Sequence, residues 1–171
     1  MNITLYQATI PTYLQIVGSV INLLDKAESH CANNNMPAEQ LIQARLADDM
    51  LPFTFHITSV CHHSMGAING LRKGTFSPDG TMLEDFESLR NMLTTTLASL
   101  EALSEDEING FVGKPMRFEY GEKSGDYIAE EFLLSFSQPS FYFHAITTYD
   151  ILRWKGVTVG KRDFLGKLRT K

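Results

Sequence analysis

Cysteine is scarce in this sequence: Cys31 and Cys61 are the only two among 171 residues. Two isolated thiols build no disulfide framework, and their spacing matches no zinc motif. There is no apolar run of roughly 18 residues, so no segment reads as a membrane-spanning helix. The amino end, MNITLYQATIP, lacks a basic segment followed by an apolar one. No secretory leader is visible there, and a bacterial-type cytosol is the expected compartment. Positive charge is in deficit, with 15 Lys and Arg against 20 Asp and Glu, which argues against a nucleic-acid binder as a whole. A phosphate-binding glycine loop, a Ser/His/Asp motif and a CxxC pair are also missing. What remains is 43% apolar and 20% charged, the balance of a soluble protein with a sizeable core. One domain spanning residues 1–171 is expected.

Hydrophobic periodicity supplies the architecture. Pro11 to Ser29 carries Tyr13, Leu14, Ile16, Val17, Val20, Leu23, Leu24 and Ala27 on one broad face, which predicts a first helix with Thr9 as its cap. A short helix is expected over Glu39 to Leu46. A second long helix should open at Asp48 or Asp49 and run to Leu71, with Pro52 in its first turn. KGTFSPDG (73–80) reads as turn chemistry. Thr81-x-x-Glu84 reads as a capping box for a third helix marked by Phe86, Leu89, Leu93, Leu97 and Leu100. Ser104-x-x-Glu107 suits a short extra turn. KPMRFEYGEKS (114–124) alternates like a hairpin, and a fourth helix is expected over Tyr127 to Lys155, kinked at Pro139 and stopped by Gly156. Four long amphipathic helices with a small β insertion before the last imply an all-α four-helix bundle.

Chemistry, if present, centres on FYFHAITTYDILRW (141–154). Its helical wheel places His144 and Thr148 within the apolar arc, and a buried imidazole must find a partner. On the second helix His56 and His63 share one edge of the apolar stripe, and His62 points away. His56 and His63 are roughly 10.5 Å apart along an ideal helix, too far to bind one ion together. At most one of them can join His144. His144 is open to three roles: a satisfied core histidine bonded to Asp49 or a backbone carbonyl, a metal ligand, or a general base. His62 and His63 are expected at the edge or in solvent. Cys61 beside His62 faces a different way on a helix and does not make a thiol–base pair. From Arg153 onward Arg153, Lys155, Lys161, Arg162, Lys167, Arg169 and Lys171 face only Asp163, which reads as a solvated basic tail.

QARLADDMLPF (43–53), YFHAITTYDILR (142–153) and GKRDFLG (160–166) resemble an uncharacterised bacterial branch of the DinB/YfiT-like superfamily. That resemblance implies an up-down-down-up four-helix bundle, often dimeric. Its better-known members hold a divalent metal with one histidine on the second helix and an HxxxH pair on the fourth. Some are thiol-dependent transferases or hydrolases. His56 resembles the second-helix ligand and His144 the first of the pair, but Thr148 stands where the second belongs. Asp49 is then the candidate third ligand or orienting group, and Tyr149 lies one residue off the required position. Two expectations follow. The first is a degenerate bundle with a small-molecule pocket around His144 and a weakly held zinc or nickel ion. The second is a non-catalytic homodimer whose former metal site has become core.

Overall fold

The structure is a computed structural model that describes residues 3–170. Its first helix, α1 (Leu5–Asn33), begins earlier than the periodicity suggests because a capping box forms at Thr4. The Thr4 hydroxyl accepts the Gln7 N–H at 3.2 Å, and the Gln7 side chain accepts the Thr4 N–H at 3.3 Å. Thr9, the expected cap, is instead buried inside the helix and donates to the Leu5 carbonyl at 2.7 Å. A short helix α2 (Ala38–Ile42) follows.

The second long helical run opens at Phe53, not at Asp48 or Asp49. It comprises α3 (Phe53–Cys61), a π-helical turn (His62–Gly66) and α4 (Ala67–Lys73). Pro52 is its N-cap residue. A proline holds the residue before it in extended backbone, so the aspartates upstream cannot be the first helical turn. Asp49 lies exposed in the preceding turn. Arg45 there donates to the Met50 carbonyl at 2.9 Å.

The third long helix, α5 (Phe86–Glu101), is capped by Asp85, whose carboxylate accepts the Ser88 N–H at 2.7 Å. The box expected at Thr81 does not form, because Thr81 is bound to Asp79 through its N–H at 2.9 Å and its hydroxyl at 2.6 Å. The hydroxyls of Thr54 and Thr58 on α3 donate to the Leu83 and Thr81 carbonyls at 2.6 and 2.7 Å, holding this loop extended along the helix. Ser104 caps α6 (Glu105–Asn109) as its spacing predicts.

Strands β2 (Pro115–Tyr120) and β3 (Lys123–Ile128) pair antiparallel around Gly121, whose φ is +58°. A third strand, β1 (Thr75–Phe76), joins β2 in parallel inside the segment that reads as turn chemistry. It carries the buried Phe76, which contacts Phe132 of the last helical run and ties the sheet to the helices.

The last long helical run starts with α7 (Ala129–Glu131), passes through a π-helical segment (Phe132–Ser137) and continues as α8 (Gln138–Trp154). The π segment sits just before Pro139. A proline ring collides with the carbonyl four residues back, and a wider turn relieves that collision where the sequence suggests a kink. The core lies between α1, α3, α5 and α8, around Tyr13, Phe53, Phe132 and Phe141. Tyr13 meets Phe141 edge-on at 4.8 Å.

Beyond Gly156, whose φ of +83° ends α8, the chain returns to α1 as α9 (Lys161–Leu165). Gln15 donates to the Leu165 carbonyl at 2.8 Å, Lys26 pairs with Asp163 at 2.7 Å, and Phe164 packs on Tyr149. Gly166 closes this return at φ +61°, and a side chain there would strike the Ser19 hydroxyl. Gly166→Ala is therefore expected to cost on the order of 1–3 kcal/mol. It should also loosen the tail, read as a lower thermal midpoint and faster tryptic cleavage after Lys161 or Arg162.

Candidate functional site

His56 is almost fully buried, 2% exposed, in the second turn of α3. Both of its ring nitrogens are engaged. Nε2 lies 3.1 Å from the Leu51 carbonyl, and Nδ1 lies 3.0 Å from Nδ1 of His144. A carbonyl only accepts, so Nε2 carries the proton of the neutral ring and Nδ1 presents a lone pair. His144 must then donate its Nδ1–H, which leaves its own Nε2 unprotonated. The Leu51 carbonyl reaches His56 because the residue before Pro52 is extended at the mouth of the helix. Phe55 and Phe143 stand edge-on to His144, with ring centres at 5.7 and 5.2 Å.

A third imidazole completes the group. The His63 ring lies parallel to that of His144 within 14°, with centres 5.7 Å apart, and is flanked by Phe76 and Phe136. The Ser137 hydroxyl donates to the His63 carbonyl at 3.0 Å and faces His63 Nδ1 at 3.4 Å. His63 is thus half-buried at the edge of the core rather than in solvent. His62 is also half-buried: it stacks on Phe76 at 4.4 Å, and its Nε2–H donates to the Ser77 carbonyl at 2.9 Å. Neither position was legible, because β1 and the π segment of the last helical run supply the covering groups and neither shows in helical periodicity.

Burial dominates the electrostatics. It lowers the pKa of His144 to about 3, with charge on His56, His63 and His62 adding to the effect. It lowers that of His63 to about 4, with His62 adding. His56 is lowered by burial and partly restored by the Leu51 carbonyl. The cluster is neutral at neutral pH.

The other candidate residues lie apart from this pair. Asp49 is exposed and makes no side-chain hydrogen bond among the described residues; the orienting role expected of it belongs to the Leu51 carbonyl. Thr148 is buried, and its hydroxyl donates to the His144 carbonyl at 2.9 Å, within its own helix. Tyr149 turns toward the tail and packs on Phe164 at 6.1 Å.

A spacing of 3.0 Å suits two nitrogens bound to one ion, but the donor set does not fit a three-ligand zinc or nickel centre. The Thr148 hydroxyl donates to a carbonyl, and no three His, Cys, Asp or Glu side chains among the described residues are placed to hold one ion. Neither His56 nor His144 lines any of five well-formed clefts on the described surface.

Residues 5–165 match the model of a family described as a domain of unknown function, DUF1993. This chain belongs to the DUF1993 family. The DUF1993 chain is also similar to a 1.83 Å crystal structure described as a DinB family member from Shewanella denitrificans, at 25% identity and a TM-score of 0.81. That likeness covers 98% of this chain and 94% of the other, and it supports the DinB-like relationship. No curated protein matches the sequence.

The neutral histidines make stability depend on pH. The unfolded chain takes up these protons near 6.5, whereas folded His63 and His144 resist until about 4 and 3. Unfolding therefore binds protons in that window, and stability is lost as pH falls below 6.5, by up to about 1.4 kcal/mol per unit for each group. Urea midpoints measured between pH 7.5 and 4.5 should fall, and the slope should flatten in His63→Asn. Equal slopes in the two proteins would contradict the assignment.

Proposed function

We propose that this protein is a non-catalytic DinB-like bundle in which the superfamily's metal position has become a structural histidine pair. The observation that carries this reading is the closed hydrogen-bond chain Leu51 carbonyl–His56–His144, with Thr148 turned back onto its own helix. Every proton in that chain has an acceptor within the fold, so the pair needs no ion to satisfy it. The same reading takes the four long helical runs as the up-down-down-up arrangement of the superfamily. It includes self-association through the apolar surface beside the pair. Leu51 and Phe143 are 45% and 55% exposed next to His56, and Ile146, one turn along α8 from Phe143, is 44% exposed.

A second reading, a two-histidine site for a weakly held divalent ion, is favoured by one observation, the 3.0 Å separation of the two Nδ1 atoms. Elemental analysis of untagged protein separates the two. The structural pair predicts far less than one zinc, nickel or iron per chain. It also predicts that His144→Ala loses about 1–3 kcal/mol of stability, because the buried His56 acceptor is orphaned. Stoichiometric metal that disappears in His144→Ala would sink the structural reading. For self-association, Phe143→Glu should convert dimer to monomer in sedimentation velocity, and a wild-type protein that sediments as a monomer would reject that part.

A further inference from the structure

The returning tail and α1 border an open cleft of about 380 Å³ that no histidine lines. Its floor is the α1 face formed by Pro11, Leu14 and Gly18, and Gly166, Lys167 and Arg169 close the other side. Gly18 stands in the middle of a 29-residue helix, where glycine costs roughly 0.5–1 kcal/mol relative to alanine. No packing requirement explains it: a Cβ at Gly18 would meet nothing within 4 Å. What the glycine does is deepen the cleft. The wall is built rigidly, since Gly166 can approach Ser19 only without a side chain and Gln15 holds the Leu165 carbonyl.

Charge at the cleft is one-sided. Lys167 and Arg169 line it, no Asp or Glu does, and neither cation has a carboxylate partner among the described residues. The Arg169 guanidinium is turned back toward α1, where it reaches the Thr12 hydroxyl at 3.4 Å. This stands against a chain that is net acidic, at −5. The tail's cations Lys161, Arg162, Lys167 and Arg169 are exposed, as expected of a solvated basic segment, and two of them, Lys167 and Arg169, also border an apolar slot.

We infer that this cleft binds a free medium-chain carboxylic acid, its hydrocarbon chain along Pro11, Leu14 and Gly18 and its carboxylate at Lys167 and Arg169. An apolar slot with convergent charge at one side is the usual form of a small-molecule site, and its volume falls at the lower end of that class. A medium-length hydrocarbon chain fits such a volume, and the two cations select an anionic head through charge-assisted hydrogen bonds.

The test uses the full-length protein and sodium decanoate, followed by isothermal titration calorimetry. Decanoyl-N-methylglucamide serves as the uncharged ligand with the same chain. Gly18→Leu should fill the slot and weaken decanoate binding at least tenfold while leaving the thermal midpoint equal or higher, because leucine is the better helix former. Lys167→Glu combined with Arg169→Glu should weaken decanoate at least tenfold and leave the uncharged ligand unchanged. Decanoate should bind wild-type protein at least tenfold more tightly than the uncharged ligand. The inference is overturned by absence of decanoate binding, by binding that Gly18→Leu does not alter, by equal affinity for the uncharged ligand, or by association only with phosphatidylglycerol vesicles.

Discussion

The contact between His56 and His144 joins the second and last long helical runs at the place where both must be apolar. Two imidazoles there are a liability unless their nitrogens satisfy each other. The fold solves this with a directional chain: the Leu51 carbonyl accepts a hydrogen bond from His56 Nε2–H, and His56 Nδ1 accepts one from His144 Nδ1–H. That order settles the tautomer of each ring, and burial beside Phe55 and Phe143 keeps both neutral. Burial, with the repulsion of nearby imidazolium charges adding to it, then holds His144 and His63 uncharged far below their ordinary range.

The two π-helical segments belong to the same arrangement. One contains His62 and His63, and the other ends at Ser137, which is bonded to His63. Gly66 lies in the first: a side chain there would press within 2.9 Å of His62 Nδ1, so the glycine lets His62 lie over Phe76. Where the resemblance implies three histidines at a metal, this chain presents a hydrogen-bonded pair, a stacked neighbour and a threonine bound to its own helix.

Much of the architecture was legible because it rests on local rules. The amphipathic stripes, the Ser104 cap and the Gly156 stop depend on residues within a turn or two of one another. Helix starts were less legible. Asp49 and the Thr81 box are sound capping chemistry, yet Pro52 displaces the first and Asp79 captures the second. His56 and His144 emerged as partners from wheel position and family resemblance. His63 did not, because its cover comes from Phe76 on β1 and from Phe136 and Ser137 of the last helical run, distant in sequence.

By itself the sequence determined a mostly helical fold and the inward face that bears His144, since periodicity and capping are short-range properties, while the DinB-like relationship rested on the resemblance of three motifs. The tertiary structure alone decided which nitrogen faces which. It also decided that a backbone carbonyl rather than Asp49 orients His56, and that the basic tail folds back on α1. Those outcomes depend on how separate helices and strands meet, and a directional hydrogen bond or a cleft exists only once they have met.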